Sequence, residues 1–160
     1  MKVDIMKGLR RYKGGFSLVE TLVALGILVV VLGGLLQLFI YCSLLSESAK
    51  NMTFALSEAQ GKVEEIRDHN YAAIAADYAA AGTPGSTFNL TQCTGMGIVR
   101  IDSSNADLLQ IEVIVSWRNH NNRVIGEDTN LNGTLDTGED ANGNGKLDSV
   151  VSLVSLMAKR

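Results

Sequence analysis

The sequence predicts an α+β protein in which a long N-terminal helix lies on a small antiparallel sheet. Three observations predict it. Residues 22–42 form an apolar run whose one clearly polar side chain is Gln37, long enough to cross the ~30 Å hydrocarbon core of a bilayer. From Leu45 onward, apolar residues recur in alternating steps of four and three, the period of a helix face. Short segments rich in β-branched residues follow in the second half of the chain, and a helix followed by sequential strands is an α+β arrangement.

The N-terminal stretch is short and basic. Lys2, Lys7, Arg10, Arg11 and Lys13 face only Asp4, an excess that predicts a cytoplasmic N-terminus and an exported chain after Cys42. A secretory signal needs a shorter apolar region and a small-residue cleavage site after it; this run is longer and no such site follows. The whole chain carries 14 Lys and Arg against 17 Asp and Glu, a net charge of −3. No basic patch with interleaved aromatics offers a footprint for nucleic acid. Cys42 and Cys93 can pair once in an oxidising compartment, although the place of Cys42 at the outer end of the apolar run leaves a free thiol equally open.

The stretch "KGGFSLVETLVALGIL", residues 13–28, carries a carboxylate, Glu20, at the entrance to the apolar run. An acidic residue at the centre of a membrane helix costs roughly 2.5–3.5 kcal/mol, so Glu20 needs the headgroup region or a partner. Gly14-Gly15-Phe16-Ser17-Leu18-Val19-Glu20 ahead of Thr21-Leu22-Val23-Ala24-Leu25 resembles the class III leader of type IV prepilins and pseudopilins. The wording is most similar to the V-type minor pilins and the I-type minor pseudopilins. The resemblance is strong over the first ~45 residues and extends to the rest only as architecture. It implies cleavage after Gly15 by a prepilin peptidase, methylation of the new N-terminal Phe16, and a role for Glu20 in assembly with other pilins or pseudopilins. It also implies a single-pass protein of the bacterial inner membrane that becomes periplasmic or extracellular in a filament. The expected organisation is a leader at 1–15, a transmembrane half-helix at 16–42 and an exported pilin-like α+β domain at 43–160. On a helix, Phe16 and Glu20 share a face, and a carboxylate in a poor solvent is tolerable beside an opposite charge. The chain's own new amine, or a neighbour's, supplies that charge.

The helix is expected to run from about residue 17 to about residue 68, roughly 75 Å at 1.5 Å per residue. Leu45, Ala49, Met52, Leu56, Ala59, Val63 and Ile66 mark its stripe, predicted to pack on the domain's own sheet, with Glu47, Lys50, Asn51 and Glu58 on other faces. Gly33 and Gly34 loosen the membrane half. Residues 70–105 read as a short helical piece near 71–81 followed by glycine-rich loop. Residues 98–101, 109–117 and 150–157 read as strands.

"GEDTNLNGTLDTGEDANGNGKLDS", residues 126–149, contains a repeat of period twelve. The first copy fits the calcium-loop pattern: Asp128, Asn130 and Asn132 supply side-chain oxygens, Gly133 the turn, Thr134 a carbonyl, Asp136 a direct or water-mediated contact, and Glu139 a bidentate carboxylate. Leu135 is expected to anchor the loop to the core. The second copy offers Asp140, Asn142, Asn144, Lys146 and Asp148, but Val151 stands at its closing position, so it is expected to be weaker. Residues 127–148 hold six acids and one lysine, a charge that a bound calcium ion would offset. The flanks are strands, so the loop is a graft into a sheet and not a helix-flanked sensor.

No nucleophile, zinc or phosphate-binding pattern surrounds His69, His120 or the cysteines, and an enzyme is not expected. The expected function is a minor pilin, a structural subunit that primes or caps a type IV pilus, with calcium as its ligand. The alternatives are a minor pseudopilin of a type II secretion system and a single-pass anchored calcium-binding adhesin.

Overall fold

The computed structural model describes residues 15–159; the basic stretch through Gly14, and Arg160, lie outside the described residues. The chain divides into two compact units, Met1–Cys42 and Ser43–Arg160.

In the first unit, helix α1 (Leu18–Arg67, continuing into the second unit) begins behind a serine cap. The Ser17 hydroxyl oxygen accepts the Glu20 N–H at 3.2 Å, and the Ser17 carbonyl accepts the Thr21 N–H at 3.1 Å. Ser-x-x-Glu is the capping-box spacing, and a carboxylate in the first turn meets the positive end of the helix dipole. Phe16 therefore lies before the cap, outside the helix, and does not share a helical face with Glu20. The apolar window that follows is long enough to cross a membrane, and none of it is buried.

The second unit is a sheet covered by helices. Strands β1 (Thr87–Asn89), β2 (Gly95–Asn105), β3 (Leu108–Arg118) and β4 (Val124–Ile125) lie in that order, all antiparallel, and β5 (Val151–Ala158) also pairs with β3. The short β1 and β4 fall in stretches that carry no strand pattern of their own. Helix α2 (Tyr71–Asp77) is capped by the Asn70 side chain, which accepts from Ala72 N at 3.1 Å. Strand β3 turns Leu109, Ile111, Val113, Val115 and Trp117 to the helical side, where they meet Ala55, Ala59, Val63 and Ile66 of α1 and Ile74 and Tyr78. Glu58 ties the loop after β1 to α1, accepting the Thr91 N–H at 2.9 Å and the Gln92 N–H at 2.9 Å.

The buried line on α1 differs from the expected one in its first turns. Leu44, Ser48, Asn51 and Ala55 turn inward, whereas Leu45, Ala49, Met52 and Leu56 are exposed. The inward line is polar where it meets the end of the sheet: Asn51 Nδ2 donates to Asn119 Oδ1 at 3.3 Å, and Asn119 Nδ2 donates to Ser48 Oγ at 3.0 Å. Periodicity locates an apolar stripe and does not say what covers it.

Tyr78 donates its hydroxyl to Glu65 Oε1 at 3.2 Å. Burial, and after it the Glu65 charge, push this phenol up to about 12. The folded chain holds the proton more tightly than the unfolded chain, so this contribution is complete below pH 10.0 and is lost as pH rises through about 12. The melting temperature of the unsubstituted chain should therefore fall more steeply across that window than that of Tyr78→Phe. Parallel curves would mean that Tyr78 contributes nothing to the alkaline transition.

Candidate functional site

Two regions hold the residues singled out from the sequence. The first is the start of α1. Among the described residues, a Cβ built on Gly15 would meet nothing within 4 Å. Phe16 is exposed.

The second is the acidic loop, which leaves the sheet between β4 and β5. Trp117 faces Ile125, and Val115 faces Val151; an uninterrupted strand would bring residue 127 opposite Val115. The excess is 24 residues, two periods of twelve. Strands β4 and β5 are thus one edge strand into which two copies of the repeat are spliced. An even number of inserted residues keeps inward side chains inward. The loop lies on the sheet face away from the helices, where Ile98 and Arg100 line a cavity with Leu135 and Leu147 and Ser116 stands beside Gly126. Arg100 Nη2 donates to the Leu147 carbonyl at 2.5 Å, and Ser149 Oγ to the Val115 carbonyl at 2.5 Å. A Cβ on Gly126 would stand 2.1 Å from Ser116 Oγ.

The two copies share one backbone path. Left-handed residues fall in pairs twelve apart: Gly126 and Gly138, Leu131 and Gly143, Gly133 and Gly145. Their side-chain bonds repeat as well. Asp128 accepts the Asn132 and Gly133 N–H groups at 3.0 and 2.8 Å; Asp140 accepts those of Asn144 and Gly145 at 2.9 and 2.8 Å. Asn132 Oδ1 accepts from Thr134 N, and Asn144 Oδ1 from Lys146 N, at 2.7 and 2.8 Å. Asn130 and Asn132 donate their amides to Asp136, both at 2.7 Å. Asn142 and Asn144 do the same for Asp148, at 2.8 and 2.6 Å. These donors hold the Asp136 and Asp148 carboxyls below their ordinary range, Asp148 with added help from Arg100 and Lys146.

Glu139 curls back over the first copy, accepting the Thr129 and Asn130 N–H groups at 2.8 and 3.2 Å and the Asp136 N–H at 3.2 Å. The Thr129 hydroxyl is the chief cause that lowers its pKa, against the opposing effect of burial. Val151, at the expected closing position of the second copy, is instead buried in β5. Glu127 was not among the expected site residues. It accepts the Ala141 N–H at 3.2 Å and the Asp148 N–H at 2.9 Å. The signal for it was in the repeat, whose shared unit begins at the dipeptide Glu-Asp and not at Asp.

The anchor also differs from expectation. Leu147 is 4% exposed and Leu135 is 41% exposed; both line one cavity with Arg100, and it is the Leu147 carbonyl that Arg100 holds.

The donor set is made of oxygen, which suits a hard cation. Asp128 and Glu139 are 0% and 4% exposed, and among the described residues no Lys, Arg or His side chain lies within 4.0 Å of either. Buried charge without a counter-charge is costly. Among the described residues no three His, Cys, Asp or Glu side chains gather into a ready metal cage; the carboxylates are turned to amide N–H groups. Cys42 and Cys93 are free thiols. Burial, then the Glu58 charge, pushes the Cys93 thiol up.

A family model described as the prokaryotic N-terminal methylation motif matches residues 10–36. No curated protein and no solved structure matches this chain. The matched span covers Gly15, Phe16 and Glu20 and the first turns of α1. The chain carries a class III prepilin leader ahead of a long apolar helix, an arrangement consistent with a type IV pilin-like protein.

Leu147→Ala should destabilise the second unit by about 2–4 kcal/mol, the usual cost of emptying a buried leucine site, whereas Leu135→Ala should cost under about 1 kcal/mol. Denaturant unfolding of the two variants checks this; equal losses would mean that both leucines anchor the loop.

Proposed function

We propose that this chain, with its prepilin leader and long apolar helix, is a minor pilin: a non-enzymatic structural subunit that primes or caps a type IV pilus. The observation that supports this most is the exposed line of Leu45, Ala49, Met52 and Leu56. It continues the apolar character of the span onto a helix face that the domain's own core does not use. A solvated surface gains nothing from such a line; a bundle of helices from like subunits covers it. A minor pseudopilin of a secretion system would use the same face in the same way. Membrane anchoring follows from the apolar window, and prepilin peptidase is the processing partner. Mass spectrometry should find a mature chain that begins at N-methylated Phe16. An intact N-terminus would sink the pilin reading.

Met52→Glu with Leu56→Glu should leave the melting temperature within a few degrees, because neither side chain is in the core, yet reduce incorporation into filaments about tenfold or more. Cross-linking or co-purification with the other pilins reads the effect. Undiminished incorporation would show that this line is merely exposed. Loss of twitching in a deletion strain favours the pilus, and loss of protein secretion favours the pseudopilus.

The acidic loop is proposed to hold calcium. Asp128, Asn130, Asn132, Thr134, Asp136 and Glu139 would bind it in the first copy. The ion would supply positive charge to carboxylates that no basic side chain neutralises. A ligand bound only by the folded state adds roughly 2.7 kcal/mol at 100 times its dissociation constant, and extracellular modules bind in the range of about 10⁻⁴–10⁻³ M. The full chain in detergent should melt higher in millimolar calcium than in chelator, with Asp128→Ala removing most of the gain. Equal melting temperatures would reduce the loop to a solvated cover for the sheet.

A further inference from the structure

We infer that Asn142 is a site of covalent self-modification: the backbone nitrogen of Gly143 displaces its side-chain amide and converts Asn142 to an acid, while the fold protects the loop's other two Asn-Gly pairs. The reaction needs neither a bound ion nor assembly into a filament.

Asparagine followed by glycine is chemically labile. The glycine backbone nitrogen attacks the asparagine side-chain carbonyl carbon, and glycine has no Cβ to obstruct that approach. A nitrogen–carbon bond forms and closes a cyclic imide. The carbon–nitrogen bond of the side-chain amide breaks, and ammonia leaves with the proton that the glycine nitrogen gives up. Water then opens the ring at either carbonyl, giving aspartate or its isomer linked through the side chain. No group is oxidised or reduced, and solvent water is the co-reactant. The acidic loop holds three such pairs, Asn132-Gly133, Asn142-Gly143 and Asn144-Gly145.

The fold treats the three unequally. In two of them the nitrogen that must attack is held: Gly133 N donates to Asp128 Oδ2 at 2.8 Å, and Gly145 N to Asp140 Oδ2 at 2.8 Å. A hydrogen bond to a carboxylate is stronger than one to a neutral acceptor, and it must open before the nitrogen can turn to the neighbouring side chain. The carboxylate also opposes the negative charge that builds on the nitrogen as its proton leaves. Among the described residues, Gly143 N donates to no acceptor.

The asparagine side chains do not make the difference. Asn132, Asn142 and Asn144 each accept at Oδ1 from the N–H two residues on, at 2.7, 3.0 and 2.8 Å. Such a donor points at the oxygen where negative charge gathers when the carbonyl is attacked. The glycine nitrogen alone separates the pairs. The repeat locates the weak point further. In the first copy the equivalent of Asn142-Gly143 is Asn130-Leu131, and Leu131 takes the same left-handed turn, with φ 60° against 73° at Gly143. The backbone there accepts a leucine, whose side chain hinders the attack that glycine allows. Asn142 and Gly143 are exposed, so water and base reach them. Conversion alters the loop, because Asn142 donates its amide to Asp148 at 2.8 Å. The product sets a carboxylate against Asp148 in place of that donor, next to the buried Leu147.

The test is peptide mapping by mass spectrometry of the full chain in detergent and chelator, held at mildly alkaline pH, with the denaturant-unfolded chain as reference. In the unfolded chain the three pairs should convert at similar rates, since each is Asn-Gly. In the folded chain Asn142 should convert at least about tenfold faster than Asn132 and Asn144, the factor that one hydrogen bond to a charged group is worth. Asp140→Ala, which frees the Gly145 nitrogen, should raise Asn144 towards the rate of Asn142. Gly143→Leu, which copies the first repeat, should stop conversion at Asn142 and leave the other two as slow as before. Equal rates at the three sites in the folded chain would overturn the inference. So would conversion of Asn132 or Asn144 ahead of Asn142, or a folded chain in which none of the three converts.

Discussion

The second unit depends on covering strand β3 on both faces. An antiparallel sheet can leave one face to water, and its strands then alternate apolar and polar residues. β3 does so only at its start. From Val113 through Trp117 every residue is buried, so the half of the strand nearest β4 needs a second cover. Helices α1 and α2 supply the first. The acidic loop supplies the other, with Leu147 as its apolar foot and Ser149 and Arg100 as its polar ties. A loop of this charge is an unusual lid for a sheet. It works because its acids are consumed locally: each carboxylate that faces inward accepts backbone N–H groups that a tight turn would otherwise leave bare.

The same economy appears on α1. A helix has one surface to distribute, and here two neighbouring lines on it have different fates. One is made of small residues, Ala55 and Ala59, and turns polar at Asn51 and Ser48 where the sheet ends. The other, Leu45 through Leu56, is larger and more apolar yet stays outside the core. Core packing alone would select the opposite arrangement, since burying Leu and Met contributes more than burying Ala. The arrangement leaves the larger apolar line of α1 free of the domain's own core.

This division also marks what the sequence could disclose. The span and the three main strands are local patterns: a run without charge, and segments rich in β-branched residues. Each was legible because its physical cause lies within a few residues. Strands β1 and β4 are three and two residues long and exist because β2 and β3 offer them partners, a cause written elsewhere in the chain. The stripe on α1 was visible as a stripe, but the partner that covers it was not. Leu135 and Leu147 both stand in an Asn-Gly-x-Leu-Asp stretch, and that shared pattern does not say which of the two is buried.

Glu127 shows the same limit from the other side. Read in line, the second copy ends at Val151 and has no glutamate where the first has Glu139. Counting by the period instead makes residues 127, 139 and 151 one position used three times. The core claims the third for a valine, because β5 must return to the register that β4 left. An even insertion allows that return, and two whole repeats make the ends of the loop equivalent in space as well as in sequence. Glu127, at the first position, accepts the Ala141 and Asp148 N–H groups of the second copy. Two repeats give the loop one glutamate within and one at its entrance, and the strand keeps its valine.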